Sequence, residues 1–464
     1  MKKLGKIICL SVLAVVVLTA AVVGAVLLYD AGYQLPEQAA HYENTTGLVQ
    51  AYGRTLYDAQ GEHLRLHGIN VGQLMVQEGW MSPFDLEPLK NEDGSYVKDG
   101  NGNILYEDFN EEHFRRALVS NPNLSGYDPQ TLIALYRSCF FTEEDFRIIA
   151  QELGMNSIRL SVYWREFLNE DLTRREEAQA FSYLDWFISK AGEHGLYVIL
   201  DLHGAPGSQN GDFHSGAMEP KAQLWHHEPY IQATVDLWCF ISEHYTHTQP
   251  QLGKWIATYD LLNEPVYEYN GKTTQECWQV MDRIYEAIRE NGDRHVITMQ
   301  GCWDFTSLPD PAQYGWENVQ YEYHWYNWQP DLLPNNVYHA FQNLSNMGRD
   351  YDVPVLIGEF TCFEDKEAWA KELAMFDKRG YSWMIWSYKT TVTGWWTSSW
   401  GIYTCQLNLD TAAEQTKCNI ATCTYEEFLK ACEAVRTENC VKDTLYDVLC
   451  TYFECQRMSE VLSN

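Results

Sequence analysis

The sequence predicts an α/β protein, a (β/α)8 barrel with an N-terminal transmembrane helix and a cysteine-rich C-terminal extension. Two observations predict the barrel. Eight short apolar runs recur along the chain, and several are nearly continuous, as in strands buried on both faces of a parallel sheet. The segments between them carry helical periodicity, and such alternation builds barrels of this kind. A doubly wound open sheet is the alternative, but no glycine-rich phosphate loop follows the first strand.

The 464 residues divide into four predicted parts. Residues 1–29 are the membrane segment and 30–50 a polar linker. Residues 51–404 form the barrel, and 405–464 form the extension, which includes the last barrel helix. A single domain of this size is normal for an α/β barrel.

The N-terminal segment has the pattern of a membrane anchor. Three lysines precede an uncharged run at 7–28, and a helix of that length spans about 33 Å, the thickness of a bilayer core. We therefore expect an uncleaved anchor that binds the membrane and leaves the rest of the chain outside the cell. A cleaved signal peptide, which would give a secreted protein, is the alternative.

The predicted barrel elements follow the linker. The strands are predicted at 64–70, 157–164, 197–203, 258–263, 296–301, 320–326, 355–360 and 382–389. Helices are predicted at 177–194, 221–245, 275–291, 335–348 and 364–379. Thr142 and Asp145 form a capping-box pattern that begins another helix.

A long insert separates the first two strands. Residues 82–141 carry turn signals at Asp93-Gly94, Asp99-Gly100 and Asn101-Gly102. Because the insert leaves the carboxyl end of the first strand, which is the active-site face of such barrels, we expect a loop or small lid that shapes the cleft. A surface decoration is the alternative.

Composition excludes one class of partner. The chain has 33 Lys and Arg against 64 Asp and Glu, a net charge of -31, and such a surface repels nucleic-acid phosphates. Its 17 Trp and 30 Tyr suit stacking on the faces of sugars, although such rings also fill large cores.

Cysteines concentrate in the extension. Seven of the 13 lie in the last sixty residues, a density that predicts disulfides in an exported chain. A zinc site is the alternative, but no CxxC pair or nearby His supports it. We expect no metal and no cofactor, since no ligand spacing indicates one.

Functional side chains mark six of the predicted strands, most of them at the carboxyl end. Burying a charged group there is costly unless the group is paired or functional. The side chains, in strand order, are Arg159, His203, Asn263 with Glu264, His324 with Tyr326, Glu359 and Trp386.

Two of these residues form a predicted catalytic pair. Glu264 and Glu359 are 95 residues apart, or three βα units, which places them across the mouth of an eight-strand ring. Two carboxyl groups about 5–5.5 Å apart define a retaining glycosidase. We expect Arg159 to keep the nucleophile ionised, since a nearby cation favours the charged form. The alternative for each glutamate, taken singly, is a residue of the barrel rim that forms an ion pair.

These motifs resemble glycoside hydrolase family 5. The resemblance rests on Asn-Glu-Pro at 263–265, His-Trp-Tyr at 324–326 and Ile-Gly-Glu at 357–359. The runs DLHGAPGSQNG at 201–211 and GQLMVQEGW at 72–80 are similar to the exo-β-1,3-glucanase branch of that family. The resemblance covers roughly residues 50–400.

The resemblance implies a retaining β-glycosidase with a role for each residue. Glu264 would be the acid/base and Glu359 the nucleophile. Arg159 and Tyr326 would hydrogen-bond the nucleophile. Asn263 would hold the 2-hydroxyl of the reacting sugar, and its other hydroxyls would be bound by His203, His324 and Glu78. Trp386 would form the floor beneath that sugar.

The chain also departs from the branch. Gln73-Leu74 stands where the branch usually has Gly-Trp, and Tyr388 where it usually has Trp. Trp395, Trp396 and Trp400 either stack on further sugars or pack the extension against the barrel.

We expect an exo-acting β-glucosidase or β-glucanase outside the cell, with a β-glucan or other β-glycoside as substrate. The alternatives are an endo-acting cellulase or mannanase, a glycolipid glycosidase, and a non-catalytic carbohydrate-binding surface protein on the same barrel.

Overall fold

The barrel is present as predicted. The computed structural model describes residues 2–87, 89–91, 95, 97, 109–302, 307–329, 333–346, 351–363, 365–391, 400–407 and 417–463. Eight parallel strands close into one barrel in sequence order, and Trp383 of the last strand pairs with His67 of the first. The barrel strands are β1 (His67–Val71), β2 (Ser157–Tyr163), β3 (Tyr197–Gly204), β4 (Ile256–Asp260), β5 (Val296–Gln300), β6 (Val319–Trp325), β7 (Val355–Phe360) and β8 (Ser382–Ile385).

Helices surround the barrel and follow its strands. Every residue of β2, β4, β5 and β6 is buried, as in strands covered on both faces, and the buried residues include polar ones such as Arg159 and Glu322. The helices are α1 (Lys2–Ala31), α2 (Glu111–Ser120), α3 (Pro129–Phe140), α4 (Glu143–Arg147), α5 (Glu177–Glu193), α6 (Glu228–Glu243), α7 (Pro250–Gly253), α8 (Gln275–Glu290), α9 (Asn335–Asn346), α10 (Lys366–Arg379), α11 (Tyr425–Ala434) and α12 (Thr444–Ser463).

Local sequence sets the helix ends. The predicted capping box begins α4, where the backbone N–H of Thr142 donates to the Asp145 carboxylate at 2.6 Å. Asp365 caps α10 by accepting from the N–H of Ala368 at 2.9 Å, and Gly380 ends that helix in the left-handed region at a φ of 71°.

Three predicted strands differ from the observed ones by more than one residue at an end. The first begins only at His67, because His63–Leu64 pairs instead in an antiparallel sheet with Gln50–Tyr52 and Thr55–Tyr57. The fourth ends at Asp260, so the predicted catalytic Glu264 lies on the following turn. The eighth leaves the barrel after Ile385.

The chain after β8 joins the extension instead of continuing the barrel. Lys389–Thr391 pairs with Tyr403–Cys405, which pairs with Cys440–Lys442. The Lys389 amine is buried and lies 3.5 Å from the Asp145 carboxylate of α4. This buried ion pair fixes the segment outside the barrel sheet.

The insert and the extension pack against each other. Tyr127 stacks on Tyr425 of α11 at 4.1 Å, and Phe84 stacks on Phe428 at 5.2 Å between ring centroids. Cys418–Asn419 also adds a parallel strand to Phe84–Asp85. The described insert is therefore largely helical, with α2 and α3 held by the extension; the predicted turns at 93–94 and 99–102 lie outside the described residues.

One disulfide joins described cysteines of the extension. Cys405 and Cys440 are bonded across their neighbouring strands. Four other described cysteines of the extension are thiols: Cys418, Cys423, Cys432 and Cys450.

The N-terminal segment is helical, as expected, but the membrane anchor is not supported. Over the residues that the structure describes, we find no helix with the length and apolar character needed to cross a bilayer. Near the carboxyl end of α1, Asp30 pairs with Arg379 of α10.

Candidate active site

The nine predicted site residues lie together at the carboxyl-terminal mouth of the barrel. All are buried, including both predicted catalytic glutamates, at 5% exposed each. The set comprises Glu78, Arg159, His203, Asn263, Glu264, His324, Tyr326, Glu359 and Trp386. Eight of them come from six different barrel strands or from the residues that follow those strands, and Glu78 comes from the loop after β1.

Glu359, at the end of β7, is held by fixed donors. Its Oε1 accepts from Arg159 Nη1 at 3.1 Å and its Oε2 from the Tyr326 hydroxyl at 2.8 Å. Burial and the nearby carboxylates raise the pKa of Tyr326 well above its usual range, so the hydroxyl keeps its proton and donates. Gly358 precedes the glutamate because the Glu322 side chain occupies the space that a Cβ would need.

Arg159 organises the floor of the site from β2. Its guanidinium is fully buried and donates to Asp260 at 2.7 Å, Asn263 at 2.9 Å and Asn70 at 3.0 Å. Although burial opposes the charge, the carboxylates of Asp201, Glu322, Asp260 and Glu359 raise the pKa of Arg159 well above its usual range. The cation therefore persists at any working pH.

Glu264 has a different environment. Its Oε1 lies 2.6 Å from His324 Nδ1 and its Oε2 lies 3.2 Å from His214 Nε2. Burial raises the pKa of Glu264, but the two imidazoles hold that pKa well below its usual range. Glu264 is in the left-handed region at a φ of 47°, and its backbone N–H donates to the Gln300 side chain.

The two glutamates meet across the mouth. One carboxyl oxygen of Glu264, one of Glu359 and one ring nitrogen of His324 lie within 4.8 Å of one another. His324 Nδ1 also lies 3.4 Å from Glu359 Oε2, so this ring bridges the pair. Burial lowers the pKa of His324, but Glu359 and Glu264 raise it to about 10.

Comparison with known proteins identifies the family of the chain. The model of cellulase, glycosyl hydrolase family 5, matches residues 119–391, more than half of the chain. The chain belongs to glycoside hydrolase family 5. The resemblance found in the motifs is therefore confirmed.

Two relatives and one structure show the range of similarity. A beta-xylosidase of Phanerodontia chrysosporium is 36% identical over 191 residues, which are 40% of this chain and 38% of that protein. A glucan 1,3-beta-glucosidase of Lachancea kluyveri is 24% identical over 78% of this chain and 90% of its own. The crystal structure of AoRut is 13% identical, with a TM-score of 0.50 over 79% of this chain and 95% of its own, and shows the fold alone.

The mouth also holds polar side chains around His203. His203 Nδ1 bonds Asp201 at 2.7 Å, and the ring stacks on Trp386 at 5.5 Å. Glu78 lies 3.8 Å from His203 Nε2 and accepts from Trp80 Nε1 at 2.8 Å. Burial raises the pKa of Glu78.

Aromatic rings form the rest of the mouth. Between ring centroids, Trp400 lies 5.1 Å from Trp80 and 5.8 Å from Tyr326, and the exposed Trp328 stacks on Tyr326 at 5.1 Å. Trp400 thus lies beside the site, whereas Trp395 and Trp396 lie outside the described residues. Tyr388 faces away, with its hydroxyl on Asp145 at 2.7 Å.

Sequence reasoning missed two residues of this family 5 site. Gln300 ends β5, and the search for polar strand ends could have found it. His214 lies in a short turn ten residues beyond β3, where no spacing rule relates it to Glu264.

Proposed function

We propose that the chain is a retaining, exo-acting β-glycosidase of β-glucans, with Glu264 as acid/base and Glu359 as nucleophile. The observation that carries the proposal is the approach of the two carboxyl groups, whose nearest oxygens are within 4.8 Å. This separation fits a retaining enzyme, since an inverting one needs about 6.5–9.5 Å to admit a water.

The first step replaces one bond at the anomeric carbon by another. A Glu359 oxygen bonds to C1 of the sugar as the bond from C1 to the leaving oxygen breaks, and Glu264 gives that oxygen a proton. In the second step Glu264 takes a proton from water, the water oxygen bonds to C1, and Glu359 leaves as a carboxylate. Two inversions give net retention.

The environment of Glu359 suits a nucleophile. Arg159 supplies a permanent positive charge to Oε1, and the Tyr326 hydroxyl orients Oε2. Both contacts stabilise the carboxylate before attack and again when it leaves.

The remaining predicted residues suit binding of the reacting sugar. Asn263 Oδ1 accepts from Arg159, so its amide N–H groups are directed away from the guanidinium and can donate to a hydroxyl. His203 and Glu78 offer polar atoms beside the indole of Trp386. A flat ring flanked by hydrogen-bonding groups matches the amphipathic faces of a pyranose.

Burial of the site supports exo action. Glu78, Asn263, Glu264 and Glu359 are each at most 5% exposed. Trp80 and Trp400 pack together beside Tyr326 and narrow the mouth. An open groove for an internal chain segment would leave the carboxylates more accessible, so we favour a pocket for one terminal residue.

A β-xyloside is the second candidate substrate. It is favoured by the 36% identity to a beta-xylosidase over 191 residues. Xylose differs from glucose in lacking the C6 hydroxymethyl group, so the pocket beyond C5 would decide between the two.

The test is hydrolysis of 4-nitrophenyl β-glucoside and β-xyloside by the full chain, with the anomer of the first product read by proton NMR. We expect release of the β-anomer and a higher kcat/KM for the glucoside. An α-anomer as first product would overturn the retaining mechanism, and absence of turnover on any glycoside would favour a binding protein.

A further inference from the structure

We propose that His214 is a positioning residue that shares one proton with Glu264 and thereby keeps the acid/base supplied with a proton at neutral and mildly basic pH. The proposal rests on the role of Glu264 given above. It adds a residue that the motifs did not indicate.

Two groups compete for one ring nitrogen of His214. Nε2 lies 3.2 Å from Glu264 Oε2 and 2.8 Å from Asn210 Nδ2. The orientation of the Asn210 amide is fixed, since its Oδ1 accepts from the backbone N–H of Asp212 at 2.9 Å. Its Nδ2 is therefore a donor directed at the imidazole.

A ring nitrogen can serve these two neighbours only one at a time. When Nε2 carries a proton, it donates to the Glu264 carboxylate. When the proton has moved to Glu264, Nε2 has a lone pair and accepts from the Asn210 amide instead. While the proton is on Nε2 the Asn210 N–H lacks this acceptor, and transfer of the proton to Glu264 restores the bond, so the amide favours the transfer.

The charges around His214 favour retention of the proton. Glu264 faces the ring from the turn after β4, Glu78 from the loop after β1 and Asp212 from its own turn. His203 meets it edge-on at 5.8 Å. Burial lowers the pKa of His214, but the carboxylates, chiefly Glu264, raise it to about 9.

This arrangement resolves a conflict in the proposed mechanism. An acid has to hold a proton at the pH of reaction, yet the imidazoles depress the pKa of Glu264. The proton is available because the histidine beside Glu264 carries it. His324 is less suited to the role, since its Nδ1 bridges Glu264 and Glu359 and its Nε2 lies 2.7 Å from the Gln300 amide.

The first test is the pH dependence of kcat/KM for His214→Gln. In the wild type the shared proton is lost with the apparent pKa of the pair, so activity falls only near pH 9. In the variant Glu264 alone holds the proton and loses it at lower pH. We expect the basic limb to move down by about one pH unit or more, which is about tenfold in rate at pH 9.

His226→Gln is the matched control. His226 Nε2 lies 3.4 Å from the Glu268 carboxylate, so it is also a histidine–glutamate pair, but both side chains are substantially exposed. Its profile should match the wild type. A basic limb that stays in place in His214→Gln while the rate falls would make His214 merely structural and overturn the proposal.

Asn210→Asp gives the opposite test. A carboxylate in place of the amide would accept from Nε2 and hold the proton on His214. We expect the basic limb to move up, and the rate to fall more on a disaccharide, which needs the acid, than on 4-nitrophenyl glucoside, which needs it little. A limb that moves down instead would contradict the shared-proton arrangement.

A titration of the His214 ring by NMR separates this proposal from the proposed function. We expect the apparent pKa of His214 near 9 to fall by more than one unit in Glu264→Gln, whether or not the chain hydrolyses glycosides. An unchanged value would refute the shared proton, whereas a fall combined with no turnover would refute only the proposed function.

Discussion

The two sides of the barrel mouth hold their glutamates in different ways. Glu359 lies against a guanidinium and a phenol that keep their protons through the working pH range. Glu264 lies between two imidazoles that can gain and lose protons. On the proposed assignment, the chain supplies a constant charge to one carboxylate and an exchangeable proton to the other, which are the needs of a nucleophile and of an acid/base.

Burial sharpens this difference. The two carboxyl groups are equally inaccessible, so the groups that surround each of them, and not its exposure, distinguish the two. Pairs of titratable groups whose environments diverge in this way mark opposite roles in acid–base chemistry.

The largest expected loss of activity follows substitution of Glu359, the glutamate held by Arg159 and Tyr326. Glu359→Gln removes the carboxylate that forms the covalent bond, so kcat should fall by at least about 10⁴-fold. The measurement is the steady-state rate on 4-nitrophenyl glucoside, with circular dichroism to show that the fold is kept. Glu367→Gln, an exposed residue paired with Lys371, should retain full activity. Near-normal activity of Glu359→Gln would remove Glu359 from the nucleophile role.

The loss of activity on substitution of Glu264 should depend on the leaving group of the substrate. Glu264→Gln removes the proton donor, so hydrolysis of a disaccharide should fall by about 10²–10⁴-fold. Bond cleavage in 4-nitrophenyl glucoside should fall less, because its leaving group departs without protonation. The ratio of kcat/KM for the two substrates measures this, and Glu268→Gln, which is exposed, should leave it unchanged. Equal losses on both substrates would contradict the acid role.

A smaller effect is expected from Tyr326→Phe. The variant removes one hydrogen bond to a charged carboxylate, a contact of about 1.5–3 kcal/mol, so kcat/KM should fall by about 10- to 100-fold. Because the tyrosine contacts the nucleophile, the loss should be similar for good and poor leaving groups. Tyr425→Phe, at the interface of insert and extension, serves as the control. A loss confined to poor leaving groups would place Tyr326 on the acid side instead.

The barrel was predictable because its strands and helices obey local patterns, and most of the predicted site residues were found because they mark those strands; Glu78 came only from the resemblance to family 5. Strands buried on both faces are rich in apolar residues, and polar residues at the ends of the most apolar strands, such as His203 and Glu359, stand out against them. The closure of eight strands then brings the ends together, whatever their distance along the chain.

Residues placed by loops were not predictable in this way. His214 reaches Glu264 because the turn at Phe213–Ser215 folds back over the mouth, and no periodicity encodes that path. The pairing of insert and extension has the same origin: Phe84 and Phe428 stack at 5.2 Å although they are 344 residues apart. The disulfide partners Cys405 and Cys440 were likewise hidden among seven cysteines.

The most direct test of the central claim is to trap the covalent intermediate. The full chain is incubated with a 2-deoxy-2-fluoro-β-glucoside that carries a good leaving group. The fluorine slows both steps, but the good leaving group keeps the first step faster than the second, so the glycosyl-enzyme accumulates. After proteolysis, mass spectrometry should find the fluoroglucosyl group on the peptide that contains Glu359, and the same treatment of Glu359→Gln should give no adduct. An adduct on Glu264 or on any other residue would contradict the assignment of the two carboxylates.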